Sequence, residues 1–149
     1  MNDDMSIVDD ATFDLWHAFM SNKKHIKNVV GKELFSLQVF TDDVTFYNFT
    51  EHTVFTKWAC VEVESLEDVP ENMDVLMFEG GMYLVEEHCG PSYEVKKTYS
   101  RIFKDIIPFA NFSVDKRPHF ELLGENYLGR DPNSKEDIWI PIVFENHVY

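Results

Sequence analysis

Residues 82–108 read MYLVEEHCGPSYEVKKTYSRIFKDIIP. Met82 to His88 reads as a strand, and Gly90, Pro91 and Ser92 then open a helix. Val95, Tyr99, Ile102, Phe103 and Ile106 follow at i, i+4, i+7, i+8 and i+11, which is one apolar stripe on a helix of 3.6 residues per turn. Pro108 ends the helix because it lacks an amide hydrogen and crowds the preceding turn. A strand that passes directly into a helix sets the unit from which the rest of the chain is read.

Two more strands are expected downstream. One is HFELL, residues 119–123; the other is DIWIPIVF, residues 137–144. Upstream, Gly80-Gly81 marks a hairpin turn that joins Met82–His88 to a strand over Met73–Phe78. Further upstream, Phe35, Leu37 and Val39 alternate with Ser36 and Gln38, and TVFTKWACVEVE (53–64) alternates more clearly. Before these, Phe13, Trp16, Phe19 and Met20 have helical spacing. Asp9, Asp10 and Thr12 supply caps at the start of that helix, and Gly31 follows as a stop signal. Both halves thus run helix, strand, strand, the second with a strand in front. This order predicts an α+β fold: an internal structural repeat, an antiparallel sheet, and two main helices on one face. The whole chain, 1–149, reads as one domain.

The bulk numbers narrow the function. With 27 acidic against 13 basic residues the formal charge is −14, which repels phosphate backbones and anionic lipid. Direct nucleic-acid and membrane partners are therefore not expected. Two cysteines, Cys60 and Cys89, form no C-x-x-C pair and fit a reduced, cytoplasmic setting. The start of the chain lacks a signal-peptide pattern. His17, His25, His52, His88, His119 and His147 show no ligand spacing, and the glycines form no phosphate loop, so neither a metal nor a cofactor is expected. Lys23 to Lys27 reads as a solvated helix end.

Strand alternation points to a site. Ala59/Val61/Val63, Phe120/Leu122 and Ile138/Ile140/Ile142 form aliphatic faces that should pack on the helices. The opposite faces carry Trp58 with Glu62, then Glu121, then Asp137 with Trp139. Aromatic rings give an organic cation area and cation–π attraction, and a carboxylate gives it a counter-charge. Glu121 is the first choice for that carboxylate, because it stands mid-strand among apolar neighbours where an idle buried acid would be costly. Tyr83 follows a turn and is expected to line the cleft; Tyr99, Trp16 and Phe19 read as core.

Several short motifs then fall in a telling order. They are Leu15-Trp16 with Phe19, WACVEV (58–63), GMYLVEEHCG (81–90), Thr98-Tyr99, Ile106-Ile107-Pro108, PHFE (118–121), Asp131-Pro132 and DIWIPI (137–142). Together they resemble the GyrI-like small-molecule-binding domain, also known as the bacterial transcription-activator effector-binding domain, of SOUL-like fold. The resemblance implies duplicated strand–helix–strand–strand units with a ligand cleft on the sheet face away from the helices. It implies capture of bulky, cationic or planar drugs and toxins, as in multidrug-binding relatives of transcription regulators. In some relatives it implies hydrolysis of cyclopropane-bearing toxins, with Glu121 and Tyr83 as the catalytic candidates here, and in others protection of gyrase.

The sequence departs from that pattern in places. The leading strand is abbreviated, to something like Met5–Val8, or missing. Leu123 stands where the family has Tyr, and Cys60 where Gly is common. No helix-turn-helix module is present, so the chain is expected to act alone. A homodimer, gyrase or a separate regulator remain open as protein partners.

Overall fold

The computed structural model describes residues 1–145. Seven strands, paired antiparallel, and two main helices make an α+β fold. The chain divides into two compact units, 1–78 and 79–149, and His147 lies outside the described residues.

The first unit holds β1 (Asn2–Met5), α1 (Thr12–Asn22), β2 (Leu34–Val39) and β3 (Phe55–Cys60). β3 pairs with β1 on one side and β2 on the other, Asn2 and Leu37 both facing Trp58. The second unit holds β4 (Tyr83–Cys89), α2 (Val95–Arg101), β5 (Phe112–Val114), β6 (His119–Leu123) and β7 (Lys135–Phe144). Here β7 lies between β4 and β6, with β5 on its far end. Apart from β5, which the second unit adds, each unit therefore repeats one plan: strand, helix, strand, strand, with the last strand in the middle.

In the first unit α1 lays Leu15 and Phe19 on Met5, Ala59 and Met73, with Phe55 and Val61 packed beside them. In the second, Val95, Tyr99, Ile102, Phe103 and Ile106 pack on Ile138, Ile140 and Leu84, as the helical stripe requires. The helix continues past Arg101 through a π turn, Ile102–Ile106, and a tight 3-10 turn that contains Pro108. Pro141 is tolerated within β7 because it looks away from β4, into the interval between the β6 and β5 pairings, where its carbonyl accepts from Asp115 N at 2.8 Å.

Four expectations are corrected. The first strand is present, and it runs over Asn2–Met5, ahead of the Met5–Val8 expected. Pairing with β3 makes a strand of this acidic tetrapeptide, in which only Met5 reaches the core. Residues 73–78 are not a strand, and Gly80-Gly81 turns no hairpin: β4 takes β7 as its partner. Of the 73–78 run, Met73 is buried while Met77 and Phe78 stay exposed. α1 ends at Asn22, well short of Gly31, which takes φ +67 in the following loop. β5 had no expectation; three residues carry too little periodicity to announce a strand.

Candidate functional site

Hydrogen-bond register divides the second unit's strands between two faces. Glu121 stands opposite Ile138, and Phe120 opposite Trp139. Ile138 and Ile140 meet α2, so Glu121 shares the helix side of the sheet. Phe120, Leu122, Asp137, Trp139 and Tyr83 take the outer side. This reverses the expectation for β6, in which Phe120 and Leu122 were to face the helices and Glu121 was to join Trp139. The reason is physical: Phe120, Glu121 and Leu123 are all buried, so alternation in β6 does not distinguish its two faces. Only pairing with β7 does so.

On the helix side Glu121, 7% exposed, accepts a hydrogen bond of 2.8 Å from the Tyr99 hydroxyl. Burial, and then the Glu121 charge and bond, hold the Tyr99 phenol well above its usual value. Glu136 is also buried, two residues before Ile138 and therefore on the same face. Tyr127 is half-buried, and burial followed by the charge of Glu136 raises its phenol; a bond with Ser92 works the other way. His88, cross-strand from Glu136, is buried. Its Nε2 donates to the Pro91 carbonyl at 3.0 Å, and in the neutral ring Nδ1 accepts from the Thr98 hydroxyl at 2.7 Å. These bonds tie the start of α2 to β4 and so set Tyr99, the next residue after Thr98. The result is two carboxylates and two phenols on one largely aliphatic face.

The outer side is aromatic. Phe120 and Trp139 stack at 5.2 Å and 16°, and Tyr83 meets both at 5.3 and 5.6 Å. The Arg117 guanidinium lies 4.7 Å from the Tyr83 ring centre, and the Tyr83 hydroxyl donates to the Pro118 carbonyl at 3.1 Å. Trp139 Nε1 and Arg117 Nη1 are buried without a hydrogen-bond partner among the described residues.

Of the residues read from sequence, the structure thus brings together Tyr83 and Trp139, with Asp137 on the same outer side, and sets Glu121 on the other. In the first unit, Trp58 lies on the side of β3 away from α1. Glu62 is exposed beyond the end of β3, and its backbone carbonyl accepts from Val30 N. The same unit holds an open cavity of about 280 Å³, lined in part by Asp3, Asp14 and Asp74. Sequence reasoning set Tyr99 aside as core and passed over Tyr127 and Glu136. For Tyr99 the signal was there: a hydroxyl on an otherwise aliphatic stripe needs a buried partner. Tyr127 lies in a loop and Glu136 at a strand start, where neither has a periodic signature.

Residues 2–142 match the family model described as "Cass2: Integron-associated effector binding protein". The match carries effector binding and no transcription-activator role. A search of curated proteins finds no match.

Proposed function

The chain belongs to the Cass2 family of integron-associated effector binding proteins, which is of the GyrI-like kind and points to a small-molecule ligand, and on that premise we propose that it captures a bulky organic cation with Glu121 as the counter-charge. One observation carries this reading: a buried carboxylate, bonded to a phenol at 2.8 Å, on the face that otherwise supplies Ile138 and Ile140 to the core. A buried carboxylate is costly to desolvate, and a ligand cation would add a full counter-charge to the phenol bond. Tyr99 holds the carboxylate in place and offers a ring edge. A planar, amphipathic cation suits such surroundings because its apolar body meets aliphatic side chains while its charge meets the carboxylate.

The hydrolytic alternative is less well supported. Tyr83, its expected phenol, lies on the opposite side of the sheet from Glu121. A reaction at Glu121 would have to use Tyr99, whose raised value keeps its proton in place as a hydrogen-bond donor.

The test is a binding titration at pH 7.4 with rhodamine 6G and with a neutral dye of similar shape, followed by fluorescence. Glu121→Gln keeps the side-chain shape and removes the charge. It is expected to weaken the cationic dye about tenfold or more and the neutral dye less than about twofold. Equal weakening of both dyes would reject the charge role.

A further inference from the structure

A second acid, Glu136, is buried on the helix side together with Glu121. Register fixes the relation between the two. Glu121 stands opposite Ile138 in an antiparallel pair, so Leu123 falls opposite Glu136, and Glu121 is diagonal to it. Diagonal neighbours on one face of such a pair lie about 7–8 Å apart. The loop ahead of β7 brings a second phenol to this acid. Lys135 N donates to Asn126 O at 2.9 Å, which draws Tyr127 toward Glu136. Ser92 N donates to Gly129 O at 2.8 Å, which holds the same loop on the start of α2. The electrostatics agree with this placement. Burial comes first for both phenols; the carboxylates then raise them further, Glu121 ahead of Glu136 for Tyr99, and Glu136 ahead of Glu121 for Tyr127. Each phenol thus feels both acids. His88, opposite Glu136 on β4, engages both ring nitrogens elsewhere, with Pro91 and Thr98.

We propose that Glu136 forms a second cation subsite beside Glu121, and that the ligand class is a planar dication with its positive centres about 7–8 Å apart. This rests on the reading of Glu121 as counter-charge and extends it from one charge to two. Like charges this close on a buried face repel each other. A ligand with one positive centre answers Glu121 and leaves that repulsion partly in place. A ligand with two gains at both acids and removes it. The phenols divide the same way, Tyr99 bonded to Glu121 and Tyr127 beside Glu136. Glu136 is therefore the residue that sets the preference for two charges over one, while Glu121 serves ligands of either kind.

Ethidium and propidium test this, because they share one planar cationic body and propidium adds a quaternary ammonium on a propyl arm. Binding to the intact chain at physiological salt is followed by dye fluorescence, and thermal unfolding checks that each variant folds. Propidium is expected to bind about tenfold tighter than ethidium or more. Glu136→Gln should abolish that advantage and leave ethidium within about twofold, whereas Glu136→Asp, which keeps the charge, should retain most of it. Glu87→Gln removes an exposed charge on the other side of the sheet. It should change the ratio of the two affinities by less than about twofold, which separates a local subsite from the net charge of −14. Equal affinity of the wild-type chain for the two dyes overturns the proposal without any variant. So does a propidium advantage that survives Glu136→Gln in a folded chain, or one that Glu87→Gln removes equally. Failure of the underlying reading shows in the monocation instead: Glu121→Gln with no effect on ethidium rejects Glu121 as counter-charge, and the second subsite with it.

Discussion

The two units share one plan and differ in what each places beneath its helix. Under α1 the middle strand offers Phe55 and Ala59, with the buried cationic residue Lys57 between them. Under α2 the middle strand offers Ile138 and Ile140, and the buried acids are Glu121 and Glu136, with His88 opposite Glu136. Each unit has apolar side chains enough to hold its helix down. The sign of the charge beneath the helix is what separates them, and only the second has its acid bonded to a helix phenol. A repeated scaffold can thus keep its packing and specialise through a few buried polar positions.

The largest expected effect breaks the packing on which this contrast rests. Ile138 is fully buried and stands opposite Glu121. Ile138→Ala should cost about 2–5 kcal/mol in urea unfolding, from lost burial and the cavity left behind. A loss no greater than that of an exposed position such as Val75→Ala would show that α2 is not held by this contact.

A second measurement sharpens the contrast through pH. Burial raises Tyr99 and Tyr127, and it raises Tyr83 despite the opposing Arg117 charge. As pH climbs past about 10, the unfolded chain releases tyrosine protons that the folded chain keeps, so stability present below pH 10 is lost above it. Tyrosinate absorbance should rise at higher pH in the folded chain than in the urea-unfolded chain; coincident curves would remove the contrast. On the acid side, burial pulls His119 down to about 4. The unfolded chain then binds a proton first, and stability contributed by the neutral ring falls as pH drops from about 6.5 through about 4. Proton NMR of the ring follows that step directly.

The smallest effect is expected at Glu62. It is exposed and lies beyond β3, so Glu62→Gln should change stability by less than about 0.5 kcal/mol and cationic-dye affinity by less than about twofold. A loss as large as that from Glu121→Gln would return Glu62 to the binding machinery.

Much of the fold was legible before any coordinates. The stripe from Val95 to Ile106 reads as a helix because only a period of 3.6 aligns those residues. Strands at 34–39, 55–60, 119–123 and 135–144 follow the alternation found there. β1 was hard to read because three of its four residues are polar or acidic, and its strand form comes from pairing with β3. Residues 73–78 misled for the opposite reason: they form a short apolar run such as strands have, yet among the described residues no strand pairs with them.

The candidate site divides along the same line. Sequence by itself determined that Glu121 sits mid-strand among apolar neighbours, that Tyr99 rides an aliphatic stripe, and that the whole chain is acidic. Only the tertiary structure decided that these two meet, and that Trp139 and Tyr83 lie on the other side of the sheet from them. A period-2 pattern says which residues share a face; where both faces are buried, it does not say which face meets the helix. That choice is made by hydrogen-bond register with a strand further along the chain, as when Glu121 settles opposite Ile138.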